Sequence, residues 1–282
     1  MGSWCYGFMR PFLQRTFPRT RITYDQTQTP DLVIRSLAPR LETLPAYNCP
    51  YILFSGESMP ATPLMARAPL FEINTVETQD PKSVYIPYLI AEVSESKRPN
   101  TATKPKKYCA AYAFSNPVPE REAVFRTMKA QEKTCYSFGT SCRSYDVPFR
   151  APAKLRVQNA SAFADFGFVV AMENKVAPGY LTEKIGYAFG AGSVPIYWGD
   201  TDTVSTFFNP ASFLNVGDYA SPEAAATAAV EIWRDRQKLQ RFLDAPLRLN
   251  GRLADYEAIY TEYRPWQKLM TDLLRDEFPD LS

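Results

Sequence analysis

The stretch FGFVVAMENKVAPGYLTEKIGYAFGAGSVPIYWGD, Phe166 to Asp200, decides the fold class. Phe166 to Met172 is an apolar, β-branched and aromatic run without charge, the pattern of a strand covered on both faces of a parallel sheet. A polar loop, Glu173 to Gly179, follows it. Thr182 is placed to cap a helix over Glu183 to Ala191, Gly192 is a suitable stop, and Val194 to Trp198 is a second apolar strand. A β-loop-α-β unit of this kind presents its loop and its helix amino terminus to the ligand crevice. There, backbone N–H groups and the helix dipole favour phosphate.

Lys184, in the first turn of that helix, sets a cation against the positive end of the dipole, unfavourable by up to ~1 kcal/mol. Two readings follow: an anionic ligand reverses the sign, or Lys184 is a solvated surface lysine. The segment FSNPVPEREAVFRTMK, Phe114 to Lys129, repeats the anomaly. Pro119 fits the first helical position and Arg121 falls in the first turn, with Glu120 and Glu122 available to neutralise it.

The run ENKVAPGYLTEKIGYAFGAGSVPIYWGD resembles the donor-binding signature of the α-1,3-fucosyltransferases, glycosyltransferase family 10. That pattern has a Glu-Asn pair, then Tyr-x-(Thr/Ser)-Glu-Lys, then Gly-x-(Val/Ile)-Pro-(Ile/Val) and Gly. Two further segments stand in the family's order. FSGESMP, Phe54 to Pro60, is similar to its acceptor-side Gly-Glu-(Asn/Ser) motif, and FSNPVPER, Phe114 to Arg121, to its Ser-Asn-x(n)-Arg motif. The Tyr180 to Gly199 motif is highly specific, the Ser115-Asn116 and Arg121 segment less so, and FSGESMP is weak without the other two.

Around these motifs the chain reads as alternating helices and strands. Residues 1–98 form an amino-terminal α/β domain with strands near Arg21 to Tyr24, Asp31 to Ser36, Tyr51 to Ser55 and Val84 to Pro87. Residues 99–107, within the basic stretch Lys97 to Lys107, form a linker. Residues 108–250 form a second α/β domain, opening with a strand from Tyr108 to Phe114. It continues with a helix from Pro119 to Ala130 and a loop from Cys135 to Arg150 containing Gly139. A further helix from Pro222 to about Leu243 is capped by Ser221. Residues 251–282 form a helical tail, broken near Pro265, whose Ile259, Tyr260, Trp266, Leu269, Met270, Leu273 and Leu274 make a packing face. Two Rossmann-like domains facing a central cleft, the GT-B arrangement, are what both this alternation and the resemblance imply.

Composition removes several function classes. The 282 residues carry 32 Lys and Arg against 30 Asp and Glu, a net charge of +2, so nothing general favours nucleic acid or an anionic membrane. With no histidine, imidazole zinc sites, Ser-His-Asp triads and histidine bases are excluded, and proton transfer falls to carboxylates. The five cysteines, Cys5, Cys49, Cys109, Cys135 and Cys142, show no close metal-ligand pairs. Their odd number favours reduced thiols in a cytosol, although Cys135 and Cys142 could pair. No run is long and apolar enough to span a bilayer, and Arg10 and Pro11 interrupt the start, so a secretory signal is not expected. Golgi members of the family carry a membrane anchor. The resemblance therefore implies a soluble bacterial or viral form, cytoplasmic and with a basic start able to touch a membrane, or else a trimmed Golgi catalytic domain.

The resemblance implies inverting transfer of L-fucose from GDP-β-L-fucose to a glycan hydroxyl, with an α-1,3 linkage to O3 of GlcNAc or Glc and an N-acetyllactosamine-like acceptor. It makes Glu57, at the carboxyl end of an apolar strand, the general base; partial burial there would raise its pKa. Read alone, Glu57 is a turn glutamate hydrogen-bonding its own loop through Ser55 or Ser58. Arg121 and Lys184 carry the diphosphate by the resemblance, and Glu183 binds the ribose hydroxyls or, read alone, complements the dipole. Asn174 and Tyr180 are donor contacts, with Tyr180 alternatively a core residue. Glu173 lines the donor pocket or supports oxocarbenium charge. Ser115 and Asn116 match a pair near the nucleotide, although Asn before Pro117 is also an ordinary turn residue. Asp200-Thr201-Asp202 reads as a turn, no metal site is found, and no cofactor or divalent metal is expected to be required. The Lys175 to Pro178 insert and the short amino-terminal domain depart from the family and leave acceptor choice open. Another inverting nucleotide-sugar transferase, or a non-catalytic nucleotide-sugar or glycan binder, would keep the diphosphate cradle but explain the ordered motifs less well.

Overall fold

The structure, a computed structural model, describes residues 10, 12–23, 27–36, 48–58, 68–88, 105–144, 161–247 and 264–280. The chain divides into two compact units, Met1–Glu92 with Ala177–Tyr180 and Tyr256–Ser282, and Val93–Val176 with Leu181–Asp255.

The first unit holds a parallel sheet of β1 (Val33–Ser36), β2 (Tyr51–Ser55), β3 (Phe71–Asn74) and β4 (Ser83–Tyr85), in that order. Ile52 pairs with Ile34 on one side and Phe71 on the other, and every side chain of β2 is buried. Strands covered on both faces carry continuous apolar runs, which is why YILFS was readable as a strand. The sequence gives no such signal for β3, whose Glu72 and Asn74 are nevertheless buried. They sit there because Asn74 Nδ2 donates to Glu72 Oε2 at 2.9 Å and to Ser83 Oγ at 2.8 Å. Residues 21–23 run without a ladder, and Tyr24 lies outside the described residues. The C-terminal helix, Arg264–Glu277, packs on β4 and buries Met270 and Leu274, one turn apart. It includes Pro265 in its first turn instead of breaking there, since the missing N–H has no intrahelical partner at that position. Ile259 and Tyr260 lie outside the described residues, as do 99–104 of the expected linker.

The second unit is a five-stranded parallel sheet of β5 (Tyr108–Tyr112), β6 (Cys135–Ser137), β7 (Phe166–Val170), β8 (Val194–Tyr197) and β9 (Leu214–Asn215). Its order is β6-β5-β7-β8-β9. The first strand in sequence thus has the second on one side and the third on the other. The chain reverses its winding between β5 and β7, and their carboxyl ends form the switch point at which open α/β sheets take ligands. Helix α1 (Pro119–Gln131) packs against α4 (Pro222–Arg234). Val124, Phe125 and Met128 meet Ala225, Ala226, Ala229, Val230 and Trp233 over β5 and β7.

Helix α2 (Glu183–Gly190) ends against Gly192 at φ +69°, the stop expected from the sequence. Three readings change, the first being that Cys135–Ser137, expected at the start of a loop, is strand β6 because it pairs in parallel with β5. Asp200 is the N-cap of α3 (Thr201–Phe207), its Oδ2 accepting from Thr203 Oγ1 at 2.6 Å, so the Asp-Thr-Asp run starts a helix instead of a turn. The expected helix from Pro222 to Leu243 stops at Arg234. Asp235 then starts α5 (Arg236–Asp244) by accepting from the N–H groups of Gln237 and Lys238. Ser221 caps α4 as expected, accepting from Ala224 N. Cys49, Cys109, Cys135 and Cys142 are free thiols, so Cys135 and Cys142 do not pair. Among the described residues no helix is long and apolar enough to cross a membrane.

The turn after β6 is strapped to the segment after β5, Phe138 N–H donating to Tyr112 O at 2.8 Å and Ser141 N–H to Phe114 O at 3.3 Å. A Cβ on Gly139 would lie 1.6 Å from the Phe114 carbonyl oxygen, a backbone atom with no freedom to yield. Gly139→Ala is therefore expected to destabilise the protein by about 3 kcal/mol, measured by urea unfolding.

Candidate active site at the switch point

At the end of β5 the chain passes through Phe114, Ser115 and Asn116 into α1, whose N-cap, Val118, has no side-chain cap. Arg121, in the first turn, is 1% exposed. Its guanidinium lies over the Phe114 ring, 3.8 Å from the centroid, and Nη1 donates to Asn116 O at 3.4 Å. Nη2 crosses the switch point to Met172 O at 2.8 Å and Asn174 Oδ1 at 2.9 Å. Of the two neighbouring carboxylates available to neutralise it, Glu122 pairs instead with Arg126 at 3.0 Å and accepts from Ser141 Oγ. The arginine is held by carbonyl oxygens and an aromatic face.

At the end of β7, Glu173 N–H donates to Trp198 O at 2.8 Å, so the ladder with the β8 segment persists to the start of the loop. The Glu173 side chain is fully buried. Its Oε1 accepts from Thr182 N–H at 2.8 Å, both oxygens lie 2.8 Å from Thr182 Oγ1, and Oε2 accepts from Lys184 Nζ at 2.9 Å. Lys184 Nζ also donates to Thr182 Oγ1 at 2.8 Å. Thr182 thus occupies the N-cap position of α2, but its hydroxyl serves Glu173 and Lys184 instead of a helix N–H. The anion that offsets the cation at the helix start is supplied by the chain itself.

Lys184 is mostly buried, its side chain 16% exposed. Burial lowers its pKa and the Arg121 charge pushes the same way. The charges of Glu173 and Glu183 and the hydrogen bond to Glu173 outweigh them, leaving the ammonium above its ordinary value.

The second unit therefore brings together Arg121, Glu173, Asn174, Thr182 and Lys184, with Ser115 and Asn116 on the adjoining turn. Asn116 and Asn174 are exposed, while Ser115 and Glu183 are half-buried. Thr140 Oγ1 donates to Ser115 O at 3.1 Å. Tyr180 is buried at 2% exposure, in the segment grouped with the first unit. That segment is tied down by Glu77 N–H to Pro178 O at 2.9 Å and by Tyr85 Oη to Gly179 O at 2.7 Å. Gly179, at φ +78°, has the Tyr85 ring where a Cβ would be. Glu57 lies in the first unit just beyond β2 and is exposed, against the burial expected of it. Its backbone is fixed, N–H to Ser55 Oγ at 3.4 Å and carbonyl accepting from Thr75 Oγ1 at 3.1 Å. Thr182 is read from the sequence as a helix cap and not as the partner of Glu173 and Lys184, and Thr75 is not singled out at all. The Thr182 contact could have been found, since a hydroxyl residue two positions before a first-turn lysine is within reach of its ammonium.

A parallel-sheet switch point with two organised cations and an adjoining helix start is an arrangement suited to a phosphate-bearing ligand. The family described as glycosyltransferase family 10 (fucosyltransferase) C-term matches residues 101–249, and the chain belongs to that family. It is 24% identical over 181 residues to a putative fucosyltransferase of Acanthamoeba polyphaga mimivirus, covering 61% of this chain and 30% of that protein. It is 32% identical over 141 residues to the α-(1,3)-fucosyltransferase FucT of Helicobacter pylori, covering 49% of this chain and 26% of that one. An α-(1,4)-fucosyltransferase of Arabidopsis thaliana is 31% identical over 107 residues, 38% of this chain and 21% of that protein. The matches thus span less than a third of those relatives. A crystal structure of an α1,3-fucosyltransferase superposes with a TM-score of 0.66 at 19% identity, covering 94% of this chain and 86% of that one. Its fold, GT-B, is the fold of this chain.

Because the folded chain holds the Lys184 proton more tightly, the stabilisation is complete below the ordinary lysine value near 10.5. It is lost as pH rises through the higher folded value. Lys184→Met leaves Glu173 buried without its cation and is expected to cost roughly 3 kcal/mol near neutral pH. Urea midpoints of variant and parent should converge at strongly alkaline pH.

Proposed function

We propose that the chain is an inverting fucosyltransferase that moves L-fucose from GDP-β-L-fucose to a glycan hydroxyl, forming an α-1,3 linkage to O3 of GlcNAc or Glc in an N-acetyllactosamine-like acceptor. The observation that carries this reading is the pair of cations, Arg121 and Lys184, fixed at the switch point of a family 10 domain. Crystal structures of an α1,3-fucosyltransferase with GDP and with GDP-fucose share the fold and suggest the donor class for the proposal.

Each step is assigned to a residue in this proposal. Glu57 accepts the proton of the acceptor hydroxyl as that oxygen attacks the anomeric carbon. The bond to the diphosphate breaks on the opposite side, and the charge growing there meets the Lys184 ammonium. Two of the three Lys184 N–H groups are engaged by Glu173 and Thr182, and the third is assigned to a phosphate oxygen. Arg121 adds its charge and holds Asn174 at the crevice by donating from Nη2 to Asn174 Oδ1, a more indirect part than a fork directly on the diphosphate. Glu183 takes the ribose hydroxyls, and Ser115, Asn116, Asn174 and Tyr180 orient the donor. Two fixed cations at the leaving group make a divalent ion unnecessary in this scheme.

GDP-fucose protein O-fucosyltransferase 3 of Canis lupus familiaris is 25% identical over 150 residues, which gives a second acceptor class, a polypeptide hydroxyl, a specific basis. The deciding assay is metal-free. It offers GDP-fucose with glycan and peptide acceptors, GDP-mannose and UDP-galactose as competing donors, and reads product linkage by NMR. Selective α-1,3-fucosyl product supports the reading, and transfer from another donor overturns it. Glu57→Gln is expected to lower turnover about a thousand-fold while GDP affinity stays within about twofold. Lys184→Ala should weaken GDP binding by about ten- to hundred-fold, seen by calorimetry. Equal loss of GDP binding in Glu57→Gln would remove the base from the scheme.

A further inference from the structure

We infer that Glu173 is a positioning residue that never touches the donor: its carboxylate holds the Lys184 ammonium charged and in place for the diphosphate. The inference rests on the donor reading of the same site and gives Glu173 a different task from lining the pocket.

The geometry leaves this carboxylate no second role. It is fully buried, and its oxygens are occupied by Thr182 N–H, the Thr182 hydroxyl and Lys184 Nζ, all within 2.9 Å. Its backbone is pinned to Trp198 O. Behind it lies Gly199, where a Cβ would stand 3.0 Å from Glu173 Cγ and 2.3 Å from Tyr197 Oη, so the floor under the side chain is already full. To reach a sugar ring, Glu173 would have to release the start of α2.

What it does to Lys184 follows from the surrounding charges. Arg121 and burial both favour the neutral amine at Lys184, whereas Glu173 and Glu183 favour the ammonium. Of the two carboxylates, Glu173 is the one bonded to Nζ. An amine in place of the ammonium would keep the shape of the site but lose the charge on which diphosphate binding depends. Glu173 also sets direction: with Nζ tied to Glu173 Oε2 and Thr182 Oγ1, the stem is folded back over the first turn of α2 and the remaining N–H has a fixed heading. The negative charge does not block an anion, because it lies behind the ammonium and is shared among four hydrogen-bond contacts.

The test reads Lys184 directly. In protein labelled with 15N-lysine, the Nζ resonance is assigned by its loss in Lys184→Arg and followed from about pH 6.5 to 10.5, with GDP affinity measured over the same range. In the parent, Nζ should stay an ammonium and the GDP dissociation constant should change less than about twofold to pH 10. In Glu173→Gln, the Nζ midpoint should fall by at least about one pH unit, and GDP affinity should drop about tenfold between pH 7 and 9.5. Should Glu173→Gln fail to fold, Glu173→Asp, which keeps the charge but loses a methylene of reach, is expected to show a smaller drop in the same direction. Superimposable Nζ titrations in parent and variant overturn the inference. So does a GDP affinity that falls by the same factor at every pH. A parent that binds no GDP at any pH overturns the donor reading and the purpose assigned to the ion pair, while the Nζ titration separately decides whether the pair exists.

Discussion

A single guanidinium joins the two sides of the switch point. Arg121 leaves α1, stacks on Phe114 beyond β5, and bonds to Met172 O and Asn174 Oδ1 beyond β7. A reversal of winding leaves a gap between the loops that diverge from two adjacent strands, and the gap is where a ligand is to bind. Something must hold those loops at a fixed spacing without filling it. A buried arginine is suited to this because its fork reaches several acceptors at once and its face packs on an aromatic ring. The remaining features of the site, the Glu173 carboxylate and the start of α2, are placed relative to the β7 loop that Arg121 grips.

The parts of this arrangement that were legible in the sequence are those written in runs of apolar residues and in caps. Phe166 to Val170, Val194 to Tyr197 and Tyr51 to Ser55 read as strands because short β-branched and aromatic runs suit a parallel sheet covered on both faces. Gly192 and Ser221 stop and start helices by local chemistry that needs no partner from afar. The strands that escaped, Phe71–Asn74 and Cys135–Ser137, are short, and their polar residues are made acceptable only by tertiary partners. Asn74 is buried because Glu72 and Ser83 meet it; the hydroxyl of Ser137 is satisfied by Ser141 O at 2.9 Å. Partners of that kind have no signature in a single chain.

The same distinction divides the site. Lys184 and Arg121 stood out because each cation opposes a helix dipole, a conflict visible from residue type and position alone. How each conflict is resolved was not visible. For Lys184 the resolving anion is Glu173, eleven residues earlier and brought beside it by the turn of the loop. For Arg121 it is a set of carbonyl oxygens, which every residue carries and which therefore mark no position. Glu57 shows the converse: its place after β2 was readable, but its exposure depended on packing that the strand pattern does not encode.

The balance of charge around the switch point bears on how an anion would be bound. Arg121 and Lys184 are matched in number by Glu173 and Glu183, and the chain as a whole carries only +2. Such a crevice exerts little pull on anions at a distance, where only the sum of charges is felt. At contact the sum matters less than the arrangement, because Glu173 is fully buried while the Lys184 side chain retains 16% exposure. An arriving anion meets the ammonium before the carboxylate. Selectivity then rests on whether the anion can match the fixed heading of the donors, which a diphosphate linked to a nucleoside can do over a longer span than a free phosphate. Neutrality overall also limits how tightly any anion is retained, so a site of this construction favours recognition through geometry over attraction through net charge.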